Sequence, residues 1–183
     1  MTRSPLRLLV LAMTALLTAI AVAVPAQAGS APYCGITWGS LAKAGPTSYP
    51  VPGAAVGAVR AGRHDCYDRL VLDVHGVTSF GTWRAQYVPS VTEDPSGRPV
   101  ELRGSAFLQI SVGAAQGYRS SSELAPVAGF RTFEQVASAG SFEGVTSIGL
   151  GLRARLPFRV FTLNGIPGST NGVRVVVDVA HAW

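Results

Sequence analysis

Arg63-His64-Asp65-Cys66-Tyr67-Asp68-Arg69-Leu70-Val71-Leu72-Asp73-Val74 decides the fold: a charged turn carrying a cysteine runs straight into an apolar strand. A near-copy stands close to the C-terminus. Arg174-Val175-Val176-Val177-Asp178-Val179 repeats the order of Arg69-Leu70-Val71-Leu72-Asp73-Val74: arginine, three aliphatics, aspartate, aliphatic. β-Branched and aliphatic runs bounded by turn residues are strand signals, so one strand opens the domain and its twin closes it. Even spacing puts Arg69, Val71 and Asp73 on one strand face, and Arg174, Val176 and Asp178 on one face of the other. The arginines and aspartates are therefore placed to bridge neighbouring strands on the wetter side of a sheet.

The chain between the twins reads as short strands and turns. Trp83, Ala85 and Tyr87 alternate with Arg84, Gln86 and Val88, and Pro89 stops the run. Glu93-Asp94-Pro95-Ser96-Gly97-Arg98-Pro99 has hairpin-turn chemistry, since proline fixes φ and glycine supplies a positive one. A strand is expected through Leu102, and another from Ala106. Gly117 to Gly129 is a long polar interruption. Phe130 to Ser138 fits one strand or two helical turns, with Gly140 closing it. Gly144 to Leu152 alternates Thr146, Ile148, Leu150 and Leu152 against Val145, Ser147, Gly149 and Gly151. Pro157 to Leu163 is a further strand, and Asn164-Gly165 and Asn171-Gly172 are turn signals before Val173 to Val179. With 21 Gly, 12 Pro and no amphipathic helix, about seven short strands predict an all-β fold. It is an antiparallel β-sandwich or small barrel with internal pseudo-symmetry.

The N-terminus reads as an export signal. Arg3 and Arg7 precede an apolar run from Leu8 to Val24, and Pro25-Ala26-Gln27-Ala28 supplies a small-residue cleavage site after Ala28. That site and the short basic leader favour a removable peptide over a membrane anchor, so no span is expected after its removal. Arg3 and Arg7 do not form a twin-arginine pair, and Ala31-Pro32-Tyr33 before Cys34 is not a lipidation box. The expected division is residues 1–28 signal peptide, 29–60 a Pro/Gly-rich arm, and 61–183 the sandwich. Removal leaves roughly 155 residues and a net charge of about +3, too small and too scattered for a nucleic-acid partner. Two cysteines in an exported chain predict a disulfide, Cys34 to Cys66, pinning the arm to the first core strand. Trp38 is expected to tuck under the domain.

No motif carries a reaction. Gly149-Leu150-Gly151-Leu152-Arg153-Ala154 matches a dinucleotide fingerprint but continues as a strand, leaving no helix N-terminus for a phosphate. Val145-Thr146-Ser147-Ile148-Gly149 misses the nucleophile elbow at its first glycine. His64, His75 and His181 lack metal-ligand spacing; His64 with Asp65 and Asp68 reads as a solvated turn. Glu93, Asp94 and Glu143 have nothing that brings them together as an acid pair. The chain is thus read as no enzyme, without cofactor or metal. Ser147, Gly149 and Gly151 form a side-chain-free strip that an aromatic, another backbone or a ligand can approach closely.

At Cys66-Tyr67-Asp68-Arg69-Leu70-Val71-Leu72-Asp73-Val74 the chain resembles the AMIN-like domain family of secreted actinobacterial proteins. Cys34 to Leu41 looks like the leader stretch that often precedes the domain, so the likeness covers the chain from Cys34 onward. The likeness continues through Tyr87-Val88, Leu102-Arg103-Gly104, Phe142-Glu143-Gly144, Gly149-Leu150-Gly151 and Val176-Val177-Asp178-Val179. The family is related to the AMIN domain of cell-wall amidases, a non-catalytic targeting module built as a pseudo-symmetric sandwich. The resemblance implies a secreted protein at the cell envelope that binds peptidoglycan or a wall-associated protein. The alternative is a small-molecule or glycan-binding module with its pocket at the Ser147-Gly149-Gly151 strip.

Overall fold

The twin ribbons lie side by side in the computed structural model, which describes residues 32–183. The expected signal peptide and its cleavage after Ala28 lie outside the described residues. In chain order the strands begin with β1 (Lys43–Ala44), β2 (Ala55–Arg63), β3 (Tyr67–His75), β4 (Trp83–Val88) and β5 (Ala106–Val112). There follow β6 (Ala115–Gln116), β7 (Phe133–Phe142), β8 (Val145–Leu152), β9 (Phe158–Ile166) and β10 (Ser169–Ala180). The only helical element among the described residues is a 3-10 turn at Tyr33–Gly35.

Two five-stranded sheets result, ordered β6-β2-β3-β10-β9 and β1-β4-β5-β8-β7. Neighbours are antiparallel except β2 with β6. The fold is therefore a β-sandwich, with ten strands in place of about seven. β1 and β6 have two residues each, too short for periodicity to reveal. β2 was hidden for another reason. A register shift between Val56 and Ala58 breaks its alternation, so Val56, Val59 and Ala61 reach the core out of simple step. The stretch expected to end an arm is thus a core strand.

Alternation elsewhere places the core as the sequence predicts. Leu70, Leu72 and Val74 of β3 stand opposite Val177, Val175 and Val173 of β10, and all six are fully buried. From the second sheet, Leu108 and Ile110 pair with Leu150 and Ile148 and meet them across the sandwich. Phe130 to Ser138 resolves as strand, since β7 starts at Phe133. Gly140 does not close it: the strand bulges there at φ 84° and runs on to Phe142. Asn164-Gly165 and Asn171-Gly172 lie inside β9 and β10, while Pro167-Gly168 makes the turn. The strand expected through Leu102 is irregular chain, and the Glu93–Pro99 turn forms, with Glu93 N–H on the Arg98 carbonyl at 2.8 Å.

The described part of the N-terminal segment packs against the sandwich. The expected disulfide joins Cys34 to Cys66. Beyond it Gly39 bridges to Phe158 at the start of β9, and β1 pairs with β4 of the other sheet. The segment thus straps one open side of the sandwich.

Two polar side chains tie the layers together from within. Asp68 points inward from β3 and is fully buried. One carboxylate oxygen accepts the Thr132 and Phe133 backbone N–H groups at 2.6 and 3.2 Å, at the start of β7. The other lies 3.1 Å from His181 Nε2, just beyond β10. Tyr87 of β4 donates its hydroxyl to the Leu156 carbonyl at 2.6 Å and accepts the Leu156 N–H at 3.0 Å. Burial pushes this phenol up to about 12.

Removing one partner of a buried, charged hydrogen-bond set leaves the others unsatisfied. Asp68→Ala is expected to lower the unfolding free energy by about 3–5 kcal/mol in urea titration. The raised Tyr87 value sets a second expectation. The unfolded chain ionises near tyrosine's ordinary value of 10.0 while the folded one holds its proton to about 12. The stability carried by the neutral hydroxyl is whole below the lower value and falls as pH rises between them. Alkaline unfolding curves of the wild type and Tyr87→Phe should differ in slope in that window.

Candidate binding face

The outward residues of the twin ribbons build a charged face. Val71 pairs with Val176, with Arg69 opposite Asp178 and Asp73 opposite Arg174. A half-turn about the Val71–Val176 centre exchanges the two arginines and the two aspartates. The near-repeat in the sequence is therefore a local two-fold axis in the sheet.

The side chains break that symmetry. Arg69 donates through Nε and Nη2 to both oxygens of Asp178, at 2.7 and 2.9 Å. Arg159 of β9 adds a third bond to Asp178 at 2.8 Å. The matching Arg174–Asp73 bridge does not form. Arg60 of β2 takes both oxygens of Asp73 at 2.9 and 2.6 Å, and Arg174 turns to the carbonyls of Gly165 and Asn164. These hydrogen bonds hold the Arg60 and Arg69 guanidinium groups above their ordinary values.

Aromatic rings complete the layer. The Arg159 guanidinium lies 5.5, 5.4 and 5.1 Å from the ring centres of Trp38, Tyr67 and Phe161. Arg69 lies 5.2 and 5.5 Å from Tyr67 and Phe161. These planes cover Val176 to 1% exposure although it faces away from the core. Four arginines face two aspartates here, so the surface is cationic and flat, with guanidinium planes stacked on rings. Trp38 comes from the strap, as the sequence predicts, but it packs on this outer face beside Tyr67. Arg60, Arg159 and Phe161 were not singled out from the sequence. The even step from Arg159 to Phe161 was the available signal.

The predicted strip lies elsewhere, on the outer side of β8. The segment between β4 and β5 crosses it. A Cβ on Gly149 would meet Leu102 Cδ1 at 2.8 Å and Val91 Cγ1 at 3.0 Å, and one on Gly151 would meet the Arg103 carbonyl oxygen at 1.9 Å. Ser147 donates to Asp94 Oδ2 at 2.6 Å. The close approach that these small residues permit is made by the protein's own chain, which occupies the space a ligand pocket there would need.

Of the residues considered for chemistry, His64, Asp65, Asp68 and His181 share the lining of one end cleft, while Glu93 and Asp94 lie outside it. Glu93 is held below the usual carboxylate range by Arg98 and Ser96, and Asp94 is bound to Ser147. His64 stacks on Tyr67 at 4.6 Å, and His181 is bound to Asp68. Among the described residues no group of three or more His, Cys, Asp or Glu is placed to hold a metal.

A family model, the AMIN-like domain, matches residues 54–181. The chain belongs to the AMIN-like domain family. No curated protein and no solved structure matches it. The AMIN-like match starts at the foot of β2, which the sequence reading placed in the arm. The strap carrying Cys34 and Trp38 lies outside the matched residues, yet it contributes a ring to the AMIN-like face.

If the glycine strip is a packing surface, filling it should disturb the fold. Gly151→Ala is expected to cost about 1–3 kcal/mol or more, because its methyl group meets backbone. Thermal melts should show the drop, with a smaller one for Ser147→Ala.

Proposed function

We propose that this AMIN-like protein is a secreted, non-catalytic module that associates with the cell envelope. It binds peptidoglycan or a wall-associated protein through the outer face of β2, β3, β10 and β9. The observation that carries this reading is the layer of Arg60, Arg69, Arg159 and Arg174 interleaved with Trp38, Tyr67 and Phe161. Guanidinium planes offer paired donors to carboxylates, and flat rings offer a stacking surface to sugars. Both groups are abundant in wall polymers. The face aspartates are already bound by arginines, so they serve to hold the layer in place.

Secretion is supported by the Cys34–Cys66 disulfide, which suits an oxidising destination, and by the signal-like leader. No helix among the described residues is long and apolar enough to cross a membrane. A ligand at the Ser147-Gly149-Gly151 strip would have to displace Val91, Leu102 and Arg103, so the ribbon face is the better-supported surface.

Purified protein should be retained on isolated cell-wall sacculi well above an unrelated protein of similar charge. Arg174, whose partners are carbonyls, can be reversed without orphaning a carboxylate. Arg174→Glu is expected to reduce retention about tenfold, with only a small drop in melting temperature from the new carboxylate facing Asp73, and added salt should weaken wild-type retention. Equal retention of the control protein would remove the reading.

A further inference from the structure

Where the ribbons meet β7, a cleft of about 420 Å³ opens at the end of the sandwich, within the roughly 300–1,000 Å³ range of small-molecule sites. Arg63, His64 and Asp65 wall it from the β2–β3 turn, Arg131 faces them from the segment entering β7, and Asp68 and His181 lie at its base. The base has little left to offer a ligand. Asp68 accepts from Thr132, Phe133 and His181, while His181 Nδ1 faces the Asp65 carbonyl at 3.2 Å. The walls differ. Most arginines of the described chain hold a carboxylate, a side-chain amide or a carbonyl at close range. Arg63 has a single 3.3 Å contact, to the Gly129 carbonyl, and Arg131 has no hydrogen-bond partner among the described residues. Two of the least engaged arginines thus line one cleft.

Asp65 stands in the same lining with an exposed carboxylate of opposite sign. A phosphate would gain from the arginines but be repelled by Asp65, and a metal cation would meet two guanidinium groups. A group carrying both charges satisfies all three side chains. We propose that this cleft binds a zwitterionic amino-acid centre, its carboxylate held by Arg63 and Arg131 and its ammonium by Asp65. The turn is braced for the task. His181 places its ring nitrogen 3.2 Å from the Asp65 carbonyl and donates its backbone N–H to the Cys66 carbonyl at 2.9 Å. Cys66 is also tied to Cys34, and His64 is stacked on Tyr67. A rim fixed in advance loses little entropy on binding. The ligand class deepens the envelope reading and rests on it for its source: wall peptides expose such centres wherever a diamino-acid side chain is left uncross-linked.

The test is an amide chemical-shift titration of the purified protein with D-alanine, meso-diaminopimelate, acetate and inorganic phosphate. D-Alanine and diaminopimelate should shift residues 63–66 and 129–132 saturably, with acetate at least about tenfold weaker. Arg131→Gln and Asp65→Asn should each weaken the zwitterions about tenfold without lowering the melting temperature, since both side chains are exposed. No saturable shift by about 50 mM zwitterion overturns the proposal. So does phosphate or acetate binding as tightly as D-alanine, with Asp65→Asn improving it, because that describes a simple anion site. Saturable D-alanine binding without sacculus retention leaves the cleft and removes the envelope reading. Retention without saturable shifts does the reverse.

Discussion

A carboxylate with no exposed surface sets the terms of this structure. Asp68 sits on β3 one step from Arg69, and strand alternation sends the two charges to opposite sides of the sheet. Inside, an unpaired carboxylate would be intolerable, so Asp68 draws the start of β7 and the end of β10 to itself. Two sheets packed by apolar contact alone can slide by a residue at modest loss. A carboxylate that accepts two consecutive backbone N–H groups and one imidazole cannot be satisfied in any other register. The hydrophobic core supplies the larger share of the stabilisation, and Asp68 selects which packing is adopted.

The outward half of the same motif follows different rules. Arg69 and Asp178 are cross-strand partners, and the local two-fold axis would make Arg174 and Asp73 partners too. The neighbours decide otherwise, because β2 brings Arg60 to Asp73 while β9 brings Arg159 to Asp178. Asp178 thus becomes the hub of two arginines, and Asp73 the partner of an outer one. One consequence is that Arg174 is the only one of the four arginines on the face without a carboxylate partner. Another is that Phe161, opposite Val176, is enclosed by the two guanidinium groups on Asp178. A symmetric sequence pattern has produced an asymmetric surface, with the aromatic stack at one end and the carboxylate-free arginine at the other.

Much of this was legible in the chain itself. Alternation in Leu70–Val74, Ala106–Val112, Thr146–Leu152 and Val173–Val179 named the core, and the two cysteines named the staple. What escaped had physical causes. β2 carries its apolar residues across a bulge, so no window shows a clean period of two. Asn164-Gly165 resembles a hairpin turn because asparagine–glycine tolerates positive φ, and here that tolerance serves an irregular strand end. Arg174–Asp73 looked like a bridge since cross-strand placement was right, but pairing is a competition and sequence spacing does not show the third party. The Ser147-Gly149-Gly151 strip was correctly seen as room for a close approach. Which chain would use the room depends on where residues 91–103 cross, a long-range fact absent from local pattern.

The strap links the two surfaces that matter. Cys66 closes the turn whose side chains wall the end cleft, and its partner Cys34 begins the segment that carries Trp38 onto the cationic face. Tyr67 joins them directly: one side of its ring meets His64 of the cleft turn, and its neighbours on the face are Trp38, Arg69 and Arg159. The cleft and the face are therefore one continuous surface with Tyr67 at the seam, braced by a covalent bond on one side and by the Asp68–His181 contact on the other. For the proposed envelope role, an arrangement braced at both ends suits a polymer that lays a flat ring on the layer while a charged branch enters the cleft. A compact globular partner would engage the flat layer alone.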